Sequence, residues 1–313
     1  MFRSVAGLAN LRQARVRLLS SRRPCRACVP QFKAGCRQKA HVGIGERRAS
    51  GGQGNYDDAA ADAYAKIDLS EGTFWLIYQR TKEAIIRSLG RNPTDARALD
   101  WGCGAGKSTR WLRDVLRFAD VSAADINKHM LERARKRDNE SEYALAEGGR
   151  CPFMSGTFDL VLSMCVLIEI PSLEAMSAYA HEACRMARPG GIVVAVSATE
   201  ESHDPANNFL SFRYLASNPA DPRNHQLQSG DRVQCQNACG LVMEDFFWSR
   251  DDIQAVFEKA GLRTLSVTRT LGLTTDRFTW RAELQVASDY VFVFQKPLLA
   301  ATMHVDGICE EKK

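Results

Sequence analysis

The residues best suited to chemistry lie in the stretch LDWGCGAGKST, residues 99–109. An acid, Asp100, precedes three glycines at alternating positions, Gly102, Gly104 and Gly106, with Cys103 between the first two. Alternating glycines let a backbone turn sharply and pass close beneath a bound molecule. Gly106-Lys107-Ser108 has the ending of a loop that wraps nucleotide phosphates, but such a loop needs a glycine at position 101. Trp101 stands there. Trp cannot take up glycine's conformations at comparable cost, and its ring would obstruct phosphates. The dinucleotide pattern, Gly-x-Gly-x-x-Gly, needs a glycine at 107 and meets Lys107 instead. What remains is acid-x-Gly-x-Gly-x-Gly.

A second acid, Asp125, closes the segment AADI, 25 residues after Asp100. A carboxylate at that spacing can accept from the hydroxyls of a ribose. Three further stretches follow in order: INKHMLERAR, AEGGRCPFMSGTFDLVLSM and RMARPGGIVVAVS. Together with the glycine loop they span about residues 97–197 and resemble the motifs of the class I, Rossmann-like S-adenosylmethionine (AdoMet)-dependent methyltransferases of the methyltransferase-11/25-like small-molecule type. The resemblance implies a site for AdoMet. Asp100 would bind its ammonium directly or through water, Asp125 its ribose, and Glu147 the adenine amino group, although Asp is the commoner residue at that last position. Gly102, Cys103, Gly104, Gly106, Ile126, Gly148 and Cys165 would complete the cofactor site.

Methyl transfer is an in-line displacement at a sulfonium methyl, accelerated largely by holding acceptor and methyl close and aligned. A general base is needed only if the acceptor must first lose a proton, so no fixed catalytic signature is expected. Glu169, in SMCVLIEIPSLEAM, and His203 are the candidate bases; a solvated loop carboxylate and a core histidine are the competing readings. Tyr64, Trp75, Tyr78, Tyr214 and Trp248 are candidate substrate residues, and each would serve as well in a core. Phe209, Phe212 and Arg213 could line a lid. The Asn/Asp-Pro-Pro-aromatic stretch carried by methylases of DNA bases and protein amides is missing after the fourth strand. The body beyond residue 50 holds 30 basic and 36 acidic side chains, which is no electrostatic footprint for nucleic acid. A small, apolar or aromatic acceptor is therefore expected, and no DNA. Two alternatives stay open: a non-catalytic AdoMet-fold subunit or assembly factor, and a protein or RNA methyltransferase.

The elements that must position these residues alternate. RALDW, ADVSAADI, FDLVLSMCVL and IVVAVSA read as strands; KSTRWLRDVLRF, NKHMLERARKRD and LEAMSAYAHEACRMA read as helices, the last stopped by Pro189-Gly190-Gly191. This predicts a doubly wound α/β fold: a mostly parallel seven-stranded sheet with helices on both faces and an antiparallel edge built from LRTLSVTRT and SDYVFVFQK. SRDDIQAVFEKAG is a helix capped by Ser249 and ended by Gly261. Residues 51–90 form a linker and N-terminal cap helices, 91–298 the methyltransferase domain with a polar insert at about 200–245 read as a lid or loop, and 299–313 a tail.

Residues 1–50 carry ten Arg, two Lys and one acid. Leu8, Leu11, Leu18 and Leu19 alternate there with Arg12, Arg15 and Arg17, the composition of a transit peptide, with the mitochondrion placed ahead of the plastid or cytoplasm. No run approaches the roughly 20 apolar residues of a membrane span. Cys25, Cys28 and Cys36 have only His41 nearby as a fourth ligand, at no regular zinc spacing, so no metal is expected. The seven remaining cysteines read as reduced, buried thiols.

Overall fold

The computed structural model describes residue 62 and residues 68–215, 227–237 and 242–298. The leader and its cysteines, Tyr64, the first cap helix and the tail lie outside the described residues. The helix α1 (Gly72–Ser88) comes first, and Gly90 follows it with a positive φ. Then come β1 (Arg97–Trp101), α2 (Lys107–Asp114), β2 (Asp120–Asp125), α3 (Lys128–Arg137), β3 (Glu142–Leu145), β4 (Phe158–Met164), α4 (Leu173–Met186) and β5 (Ala187–Ala198). Strands β6 (Phe212–Leu215), β7 (Arg232–Asn237) and β8 (Val242–Phe246) precede α5 (Arg250–Lys259), β9 (Arg263–Arg269) and β10 (Asp289–Gln295).

The main sheet has the order β3-β2-β1-β4-β5-β10-β9. Pairings from β3 to β5 are parallel; β10 runs antiparallel to both β5 and β9. The antiparallel pair expected at the edge is present, with β10 one place in from it. Successive side chains of a strand point to opposite faces, and that explains the unbroken apolar runs. Leu160, Leu162, Val194, Val196, Val291 and Val293 enter one core with residues of α1 and α2. Val161, Val193, Ala195, Phe292 and Phe294 enter the other with α4 and α5. Asn127 caps α3 by accepting from the His129 and Met130 amides, and Ser172 and Ser249 cap α4 and α5.

Three local expectations are corrected, and one strand is added. β4 ends at Met164, because Cys165 takes a positive φ of 56° and turns the chain out of the sheet. α4 ends at Met186, before Pro189-Gly190-Gly191, which open β5 instead of following the helix. The segment EYAL is a strand, β3, too short to show a period. The insert is more than a loop: β6, β7 and β8 form a separate antiparallel sheet with its own cluster of Tyr214, Val233, Cys235 and Phe247.

Candidate active site

Two cavities meet above the carboxyl ends of β1, β2 and β4. The larger, about 380 Å³, is lined by the glycine loop, by Asp125 and Ile126 after β2, by Gly148 and Gly149, and by Cys165 and Val166 after β4. Its size falls in the usual range for small-molecule pockets. Gly102 is required by space: a Cβ there would lie 2.5 Å from Val166 Cγ2, at a φ of +83°. Trp101 stacks on Tyr179 with centroids 5.2 Å apart. The Tyr179 hydroxyl reaches the Trp101 carbonyl at 2.7 Å and Ser163 Oγ at 2.8 Å, tying α4 to the tips of β1 and β4.

Asp125 holds the floor. Its Oδ2 accepts from the Gly104 amide and its Oδ1 from the Asn127 amide, both at 2.7 Å. Burial raises its pKa, and those two amides work against the rise. A carboxylate offers about four acceptor sites, so capacity remains on the cavity side. Ile126, 44% exposed, offers an apolar surface beside it.

Asp100 has a different place from the one expected. It is fully buried and does not line the cavity; its Oδ2 accepts from Ser108 and Thr109 hydroxyls at 2.7 Å each. It fastens the start of α2 to the end of β1, and burial pushes its carboxyl up to about 6. Its Oδ1 has no partner among the described residues. Ser108 orients Asp100, and buried Lys107 lines both cavities. Glu147 is exposed and off the cavity, whose wall here is Gly148 and Gly149. Gly106 is the N-cap of α2, packed against the Tyr143 hydroxyl, and Cys103 lines the cavity.

The smaller cavity, about 90 Å³, shares Tyr78, Lys107, Met164, Cys165 and Glu169 with the larger. Phe74 and Ile77 of α1 and Phe212, Tyr214 and Met243 of the insert sheet line it, with Asp245 and Asp289. Of the candidate substrate residues, Tyr78 and Tyr214 line it. Trp75 packs instead against Phe278 and Trp280. Trp248 is a core residue, its Nε1 donating to the Ile170 carbonyl at 3.1 Å. Glu169 is at the junction, lining both cavities.

His203 is not at the site. It is 4% exposed and lines neither cavity; Nδ1 lies 2.7 Å from the Thr199 carbonyl and the ring packs against Tyr214 and Phe247. Burial lowers its pKa to about 4. A base with a lowered folded pKa stabilises the fold fully above its unfolded value of 6.5, and that contribution is lost as pH falls toward 4. Acidification from pH 7 to 4.5 is expected to cost about 2 kcal/mol through this residue. A His203→Phe variant should show a correspondingly shallower loss of stability over that window in urea titrations. An unchanged slope would refute the assignment.

Residues 99–195 match the family model described as a methyltransferase domain. The seven-stranded topology is the Rossmann-like fold of class I methyltransferases, and the matched stretch is similar to that family's AdoMet-dependent domain. Malonyl-[acyl-carrier protein] O-methyltransferase from Enterobacter lignolyticus is 35% identical over 107 residues, 34% of this chain and 41% of the relative. The chain thus spans about two fifths of that relative's length. The ubiquinone/menaquinone biosynthesis C-methyltransferase of Desulfotalea psychrophila is 23% identical over 198 residues, 60% of this chain and 78% of the relative. A solved AdoMet-dependent methyltransferase from Methanosarcina mazei shares the fold with a TM-score of 0.50 at 16% identity, covering 69% of this chain and 98% of that one.

The residues present fit the cofactor. Asp125 sits at the cavity floor with acceptor capacity, Ile126 offers a flat apolar neighbour, and the glycine loop carries no side chain that would fill the space. When bound, AdoMet supplies an electrophilic methyl on a cationic sulfur. The chain's own part is to hold the glycine loop and Asp125 in register, through the Gly104 and Asn127 amides, at the cavity floor.

Proposed function

We propose that this protein is an AdoMet-dependent methyltransferase acting on a small, largely apolar acceptor held in the smaller cavity. The observation that carries the reading is the shared wall: the donor-side cavity and a second, smaller cavity meet at Tyr78, Met164, Cys165 and Glu169. A second cavity of about 90 Å³, walled mainly by apolar side chains, has room for a small group and favours a small molecule over a protein or RNA acceptor. The relatives bear names with an O-methyl and a C-methyl acceptor, so they leave the methylated atom open. The composition of residues 1–50 supports a transit peptide, and we place the protein in the mitochondrion on that ground.

Incubation with methyl-labelled AdoMet and fractionated mitochondrial extract tests this. Label should enter the small-molecule fraction. Label in macromolecules would favour the protein or RNA alternative, and cofactor binding without any transfer would favour a non-catalytic subunit.

A further inference from the structure

The smaller cavity has a polar end that methyl transfer does not require. Asp245, on β8 of the insert, and Asp289, the first residue of β10, line it without lining the larger cavity. They are 1% and 4% exposed. Tyr214 bonds to Asp245, and Ser288 to Asp289. Even so, Asp245 Oδ1 and Asp289 Oδ2 have no partner among the described residues. The two acids come from separate sheets, so they belong to no common turn or cap. They share a cavity because the insert sheet closes over the end of the main sheet.

With Glu169, three carboxyls line the cavity against one ammonium among the described residues, that of Lys107, across walls that are otherwise mainly apolar. Buried carboxylates without counter-charge are costly. Protonation removes the charge but still leaves an unpartnered oxygen, which carries its own desolvation penalty. A hydroxyl would satisfy an oxygen and leave the charge uncompensated, and an anion would add to the repulsion. An ammonium answers both demands, with up to three donors and a positive charge. Lys107 lies at the junction with the donor-side cavity, away from the end that Asp245 and Asp289 occupy alone.

We infer that the acceptor is a small amine, anchored by its ammonium between Asp245 and Asp289, with its apolar body directed toward the junction at Glu169. The inference rests on the methyltransferase reading for the meaning of the cavity. The ammonium is the recognised end, and the reacting atom lies on the body.

Calorimetry on the full chain, with and without saturating S-adenosylhomocysteine, tests it with three shape-matched probes: 2-phenylethylamine, 2-phenylethanol and 3-phenylpropionate. The amine should bind at least tenfold more tightly than either of the others. Asp245→Asn and Asp289→Asn should each weaken amine binding at least tenfold and leave S-adenosylhomocysteine affinity unchanged. Equal affinity for the three probes, no amine binding at millimolar concentration, or amine binding indifferent to both substitutions overturns the inference. The wild-type probe series decides the matter even if one variant fails to melt cooperatively. Failure of S-adenosylhomocysteine to bind, with amine selectivity intact, would sink the methyltransferase reading and leave the amine site standing.

Discussion

Asp125→Ala is expected to weaken S-adenosylhomocysteine binding by about 100-fold or more, measured by calorimetry. Two losses combine. The carboxylate's own contribution to a ligand hydroxyl disappears, and hydrogen bonds to charged groups contribute about 1.5–3 kcal/mol each. The Gly104 and Asn127 amides, each now 2.7 Å from an Asp125 oxygen, also lose their acceptor. The first belongs to the glycine loop and the second to the cap of α3, so the floor of the cavity loses its register. Asp125→Asn separates the two effects. It retains one carbonyl acceptor and loses the charge, and should fall between wild type and alanine. The two amides left without an acceptor should also lower the unliganded thermal stability of the alanine variant, a loss partly offset by relief of the burial that raises the Asp125 pKa. Unaltered ligand affinity in both variants would remove Asp125 from the cofactor site.

The parts of the site legible in the sequence are those fixed by local chain direction. A strand followed by a glycine turn and a helix must bring residues 102–106 to the sheet's carboxyl edge, and an acid at the end of the next strand must lie beside it. Asp125 therefore falls where expected, 2.7 Å from the Gly104 amide. Asp100 carries the same motif but faces the first turn of α2, because Ser108 and Thr109 supply hydroxyls on that side. Nothing in the spacing of acid and glycines distinguishes a carboxylate facing a ligand from one facing its own helix. Glu147 fails for a related reason: Gly148 and Gly149, both at positive φ, bring backbone to the cavity and leave the glutamate in solvent.

The smaller cavity, proposed above as the acceptor site, was less legible because it is assembled from distant segments. Asp289 had a usable signal. β10 is antiparallel, so its first residue pairs with Ala198 at the end of β5, on the same edge as the glycine loop. An acid opening the last strand is thereby delivered to the site. Asp245 had none, since its position depends on the insert forming a sheet, and the insert's polar, proline-rich composition concealed that. His203 was misplaced by the same concealment: the insert has a core, and the histidine is part of it.

That assembly depends on Glu283, whose removal should produce the largest loss of stability. Glu283 is fully buried. Its Oε1 accepts from the Thr73 hydroxyl at 2.6 Å and the Leu210 amide at 2.7 Å, and its Oε2 from the Arg281 amide at 3.0 Å. One carboxylate thus ties the first turn of α1, the entry to the insert sheet and the loop before β10. Thr73 in turn accepts from the Ser211 amide at 3.0 Å, beside Phe212 of the acceptor cavity. Each buried donor left without a partner costs about 1–3 kcal/mol, so Glu283→Ala should lower unfolding free energy by about 4 kcal/mol in urea titrations. Glu283→Gln keeps an acceptor for Thr73 and Leu210 and turns an amide toward Arg281, so its loss should be about half as large. The functional consequence is directional. Glu283 touches neither the glycine loop nor Asp125, so S-adenosylhomocysteine affinity of the folded variants should stay within about twofold of wild type, whereas the acceptor's KM should rise. A parallel loss of both affinities would mean that α1 and the insert support the donor side as well, and that the two cavities are a single mechanical unit.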